Sequence, residues 1–229
     1  RFCYKFEAPP ENSPAPPLAP GRRVKKVGDQ RVNFLSICES QDVSALKAKV
    51  AELTEADWAE SDRHTQFDIH KETQSIQLLG DDMSHTLPQK TRYFDLLAGD
   101  VAPIIERLKD HFGHQGVFLR VLIARLNAHS QIKPHVDKGY SLINCNRVHI
   151  PLFTNDKVQF SVGGESRTLE EGEVWEINNA DVHAVTNASD SPRIHLIIDW
   201  TPRETLLREK KPFRMDLPMF YRSELRLHS

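Results

Sequence analysis

His135 and Asp137 stand one residue apart in the run Gln131-Ile132-Lys133-Pro134-His135-Val136-Asp137. On an extended strand, residues two apart share one face, so both side chains would point the same way. A second histidine, His183, occurs much later, in Asp181-Val182-His183-Ala184-Val185. Two imidazoles and one carboxylate form the facial ligand set that holds Fe(II) with adjacent coordination positions left open. Arg193 follows, at the head of the apolar run Ile194–Trp200. A buried arginine needs an anion, and its planar fork fits the distal carboxylate of a dicarboxylate such as 2-oxoglutarate. An isolated His-x-Asp is ordinarily a surface pair. The later histidine and arginine, all within a β-rich half, favour a non-haem iron site that uses 2-oxoglutarate and O2. His135, Asp137 and His183 are then both the metal ligands and the catalytic residues.

The supporting residues are read in the same way. Arg193, His195, Ile197 and Asp199 alternate with Ile194, Leu196, Ile198 and Trp200, so the first four share a strand face. Arg147 and His149 also share a face and could bind 2-oxoglutarate carboxylates from a neighbouring strand. The bland alternatives are a salt bridge from Arg193 to an internal carboxylate and a satisfied core role for His149. His129 lies near the metal strand, and His195 is placed to line the pocket. His64, His70, His85, His111, His114 and His129 itself read as surface residues, and Trp175 as core.

These residues need strands to hold them. Val117–Leu126, Arg147–Phe153, Lys157–Val162, Glu165–Leu169, Glu173–Ile177, Val182–Thr186 and Arg193–Trp200 are β-rich segments separated by turn residues. The Gly163-Gly164 pair predicts a tight hairpin. Short strands at this spacing predict a mainly β fold, a jelly roll of about eight strands. A strand carrying His183 closes the triad, on this reading, only if the sheet folds over. Ahead of the strands, Val43, Leu46, Val50 and Leu53 predict a helix over 42–53. A second helix is predicted over 100–112, capped by Asp100, with Pro103 in its first turn. Ser75–Leu79 reads as a short strand and Asp57–Gln66 as loop.

With 229 residues, 39% hydrophobic and 27% charged, the chain suits one domain with attached segments. The prolines between Ala8 and Gly21, followed by Arg22-Arg23-Val24-Lys25-Lys26, mark residues 1–30 as a tail. The domain is expected over 31–202, with a helical and mixed part at 31–116 and a jelly-roll core at 117–202. Residues 203–229 form a basic C-terminal extension. A net charge of −2 gives no electrostatic case for nucleic acid or an anionic membrane. No apolar run approaches the roughly 18 residues of a membrane helix, and the N-terminus lacks a signal-peptide core. Three scattered cysteines make no disulfide framework, so a cytoplasmic setting is expected.

Pro134-His135, Asn146-Arg147-Val148-His149-Ile150-Pro151, Glu171-Gly172-Glu173 leading to Trp175, His183 and Arg193 occur in that order. This arrangement, over roughly Phe94 to Pro202, resembles the aspartyl/asparaginyl β-hydroxylase family. The resemblance implies a double-stranded β-helix core of cupin-like type, flanked here by N-terminal helices, and Fe(II) with 2-oxoglutarate. It implies that His135 and His183 bind metal, that Arg193 pairs with the 2-oxoglutarate distal carboxylate, and that Arg147 and His149 line that pocket. Animal members have glycine where this chain has Asp137, so the chain looks closer to the proline cis-4-hydroxylase-like branch. The helical repeat domain of the animal enzymes has no counterpart in this sequence. The expected substrate is an amino acid or amino-acid derivative, with a residue inside a protein or peptide as the alternative. A cupin-type metal enzyme without 2-oxoglutarate and a non-catalytic β-sandwich binding module are the rival readings.

Overall fold

The computed structural model describes residues 26–27, 30–60, 72–80, 88–137, 142 and 145–202. Most of the expected tail, the 203–229 extension, His64, His70 and His85 lie outside the described residues. The long apolar segments form central strands. In β6 (Gly116–Leu126) and β13 (Arg193–Pro202), side chains of both faces are buried, as strands covered on both sides require. β13 lies between β6 and β8 (Asn146–Phe153) and pairs antiparallel with each. β4 (Thr73–Gly80), β5 (Gln89–Lys90), β3 (Phe34–Cys38) and β11 (Val174–Ile177) complete a seven-stranded sheet in the order β3-β11-β8-β13-β6-β4-β5. A four-stranded sheet runs β10-β9-β12-β7, built from β7 (Ser130–His135), β9 (Val158–Val162), β10 (Glu165–Arg167) and β12 (His183–Asn187). β1 (Lys26–Val27) and β2 (Gln30–Arg31) form a separate small pair.

Two apolar cores divide the layers. Phe34, Leu126 and Ile177 from the large sheet pack with Val158, Phe160, Val162 and Val185 from the small one, so the sheets face each other. On the outer face of the large sheet, Ile194, Leu196 and Ile198 meet the helices. Their neighbours Arg193, His195, Ile197 and Asp199 therefore point between the sheets, the alternation expected from sequence. This is a mainly β, double-stranded β-helix core with helices from the N-terminal half. The Gly163-Gly164 hairpin is present, with φ of 57° and 85°, values that L side chains avoid.

The helices differ from expectation in instructive ways. The first, α1 (Ser44–Ala51), buries Leu46 and Val50. The start of the segment expected as loop, 57–59, belongs to α2 (Glu55–Ala59), which opens with a capping box between Thr54 and Asp57 and buries Trp58. The expected 100–112 helix is α3 (Arg92–Phe112), which begins at a Thr91 cap instead of at Asp100. Pro103 thus lies in the helix interior, where it removes one backbone bond and costs about 3 kcal/mol. Phe94 and Leu97 in the added turns are fully buried, and such side chains are worth about 1.5–3 kcal/mol each, which offsets that cost. Among the described residues no helix is long and apolar enough to cross a membrane.

Thr91 accepts from the Tyr93 N–H at 3.2 Å and donates to the Gln77 carbonyl, tying the start of α3 to β4. Thr91→Ala is expected to lower stability by about 1 kcal/mol. Urea denaturation with an unchanged m value checks this.

Candidate metal centre

His135 ends β7, and His183 begins β12. The antiparallel register makes them direct cross-strand partners, with ring centroids 4.3 Å apart. The sequence reading needed the sheet to fold over to bring them together; in fact the strands are neighbours in one sheet and the ladder does it. Each imidazole is oriented by a carbonyl nearby in sequence. His135 Nδ1 lies 2.8 Å from the Lys133 oxygen, and His183 Nδ1 lies 2.9 Å from the Asp181 oxygen. A carbonyl only accepts, so each Nδ1 carries a proton and each ring turns its Nε2 toward Asp137 Oδ1, the orientation a metal ligand requires. Burial brings the His183 imidazole down to about 4, with Asp137 pulling the other way, so it is neutral at pH 7.

Asp137 lies just beyond the end of β7, so the shared strand face foreseen for the His-x-Asp pair stops at His135. Its Oδ1 is nevertheless 3.9 Å from His135 Nε2 and 3.8 Å from His183 Nε2. One donor atom from each of the three residues falls within 4.8 Å of the others. Two imidazole nitrogens and a carboxylate oxygen converging on one point fit Fe(II).

Arg193 opens β13 and is 1% exposed. Its Nη2 donates to His195 Nδ1 at 2.7 Å, while its Nε has no hydrogen-bond partner among the described residues. Burial brings its guanidinium down to about 9, with no carboxylate opposing that shift. Among the described residues no carboxylate pairs with it, so the internal salt bridge considered as its bland alternative is not formed there. His149, edge-on to Phe160 at 4.9 Å, has an unpartnered buried Nδ1. His135, Asp137, His183, Arg147, His149 and Arg193 all wall a single cavity, with Thr73, Ser75 and Phe160 among its other walls.

Arg147, foreseen as a pocket arginine, lines this cavity and also contacts two carboxylates. Its Nε and Nη2 reach Asp199 Oδ1 and Oδ2 at 2.8 and 2.9 Å, and its Nη1 reaches Asp137 Oδ2 at 2.6 Å. Asp199 also accepts from Arg120 Nη1 at 3.1 Å. Burial would raise the Asp199 carboxyl, but Arg147 and Arg120 outweigh it and hold it below the usual range. Arg120 and Asp199 were not singled out from sequence. The available signal was a charged residue inside a strand otherwise fit for full burial, which rarely stands unpaired. His195 is buried behind Arg193, while His129 is exposed, turned at φ 53°, and bonds Asp190. Trp175 packs partly buried against the inter-sheet core.

Two facing antiparallel sheets that enclose this three-donor cluster define a jelly-roll metal oxygenase. The chain belongs to the aspartyl/asparaginyl β-hydroxylase family, whose model matches residues 52–202. It is therefore a 2-oxoglutarate-dependent hydroxylase that uses Fe(II). No curated protein matches the sequence. Among solved structures, HygX from Streptomyces hygroscopicus, with nickel and 2-oxoglutarate bound, shares the fold at a TM-score of 0.50 and 14% identity. That match covers 74% of this chain and 83% of HygX. A 2OG-Fe(II) oxygenase family oxidoreductase from Burkholderia pseudomallei gives a TM-score of 0.46 at 18% identity, over 72% of this chain and 95% of that one. A Pseudomonas putida prolyl-4-hydroxylase gives 0.47 at 14%, over 75% and 93%.

Burial, with the Arg193 charge adding to it, holds His149 and His195 well below the ordinary imidazole value. They stay neutral in the folded chain but protonate near pH 6.5 when unfolded. Below that pH the unfolded state binds more protons, so stability falls as pH falls. Metal-free protein is expected to lose stability progressively between pH 8 and pH 5. Urea denaturation across that range checks it, with a shallower loss expected for His195→Gln.

Proposed function

We propose that this chain hydroxylates an unactivated C–H bond of an amino acid or amino-acid derivative, using Fe(II) held by His135 Nε2, Asp137 Oδ1 and His183 Nε2. The observation that carries the reading is the convergence of these donors in the same cavity as a buried arginine that has no carboxylate partner among the described residues. When bound, the iron, 2-oxoglutarate and O2 supply the oxidising power for the C–H bond and leave succinate and CO2. The chain supplies binding and orientation. Arg193 neutralises the far carboxylate of 2-oxoglutarate, its bond to His195 fixing the direction of the fork. His149 offers its unpartnered Nδ1 to the same ligand. Ile132, Phe160, Val185 and Ile197 make the cavity walls apolar and exclude water.

The family's name favours a second reading, in which the hydroxylated group is an Asp or Asn residue within a protein or peptide. Free thiols at Cys38 and Cys145 support a cytoplasmic setting.

The test is an anaerobic titration with Fe(II) and then 2-oxoglutarate, followed through the weak visible charge-transfer band. The band is expected in the parent protein and absent from folded His183→Ala and Arg193→Glu variants. Iron binding without a band would favour a cupin-type enzyme that does not use 2-oxoglutarate, and no binding would favour a non-catalytic module. On admitting O2, succinate formation stimulated by free amino acids supports the first substrate class, and stimulation only by peptides supports the second.

A further inference from the structure

A carboxylate has two oxygens, and the two oxygens of Asp137 are used differently. Oδ1 faces both imidazoles, at 3.9 and 3.8 Å. Oδ2 accepts a charge-assisted bond from Arg147 Nη1 at 2.6 Å. The other edge of the Arg147 guanidinium is fixed by a two-pronged contact with Asp199. Asp199 is 1% exposed and is itself braced by Arg120 from the opposite neighbouring strand. The register explains the arrangement: Asp199 on β13 is the direct partner of Arg147 on β8 and of Arg120 on β6.

We propose that Arg147 is a positioning residue that presents only one oxygen of Asp137 to the metal, and that Asp199, braced by Arg120, keeps Arg147 in that pose. A carboxylate free to rotate could chelate with both oxygens and take a coordination position that the co-substrate or O2 needs. With Oδ2 held by Arg147, it cannot. The two arginines and two aspartates of the row balance in charge, whereas Arg193, on the same cavity, has no carboxylate partner among the described residues. The competing role is Arg147 as a holder of a 2-oxoglutarate carboxylate. The inference rests on the proposed ligand role of Asp137, and the experiment separates the two.

Asp137→Ala tests the ligand role, while Asp199→Asn and Arg147→Lys test the positioning. Asp199→Asn keeps the shape of the brace but removes its charge. Arg147→Lys keeps a cation but cannot fork to two carboxylates, and it serves if the first variant does not fold. Thermal unfolding of the metal-free variants establishes that they fold. Mn(II) affinity is measured by calorimetry, the Co(II) visible spectrum reports coordination number, and 2-oxoglutarate affinity is read at saturating metal. Asp137→Ala is expected to abolish Mn(II) binding. Asp199→Asn and Arg147→Lys are expected to weaken it about 10–100-fold and to alter the Co(II) spectrum, the usual effect of losing a group that orients a ligand. Unchanged Mn(II) binding in Asp137→Ala overturns the ligand role and this inference with it. Lost binding in Asp137→Ala, with normal affinity and spectrum in the other two, overturns the positioning role alone. Weakened 2-oxoglutarate binding with normal Mn(II) affinity does the same, and assigns Arg147 to the co-substrate.

Discussion

The site depends on the register between β7 and β12. Side chains alternate along a strand, so a slip of one residue would turn His135 or His183 out of the cavity and leave a single imidazole inside. The ladder sets His183 opposite His135 with no loop having to be ordered for the purpose. Ile132 on β7 and Val185 on β12 are cross-strand partners that pack into the inter-sheet core with Phe160, and a register shift between Val185 and His183 then brings His183 opposite His135. Backbone carbonyls at Lys133 and Asp181 then orient the rings. Position, rotation and tautomer of the two imidazoles all follow from strand pairing.

The inward face of β13 sets the electrostatics. Buried charges are costly unless paired, and this strand presents both situations a few residues apart. Asp199 is met by arginines from both neighbouring strands. Arg193, at the other end of the same face, is met by a neutral imidazole. The folded chain carries the cost of a desolvated guanidinium at the place where a dicarboxylate would offset it. Such a site is less stable than it could be but already shaped for its ligand, so little reorganisation accompanies binding.

Much of this was legible in the sequence because it depends on residue type and short spacing. His135, Asp137, His183 and Arg193 were marked by chemistry, and the alternation in Arg193–Trp200 separated the helix-facing from the cavity-facing side chains. The strands were readable from their apolar periods. Features that depend on pairing between strands were not readable. The brace around Asp199 needs the register of three strands, and the link from His195 to Arg193 needs the inner face of one strand to be dry. The helices departed where one signal masked another. Pro103 and Asp100 imitate a helix start, while the true start at Thr91 is marked only by a cap and by the apolar residues that follow it. The Thr54 and Asp57 capping box lay inside a polar stretch.

The most direct test of the account is an anaerobic crystal structure of the chain with Mn(II) and 2-oxoglutarate. The expected result is the ion bound by His135 Nε2, Asp137 Oδ1 and His183 Nε2, with the far carboxylate of 2-oxoglutarate on Arg193 and Asp137 Oδ2 still on Arg147. A metal bound without Asp137, or a co-substrate carboxylate seated on Arg147 in place of Asp137, would contradict it.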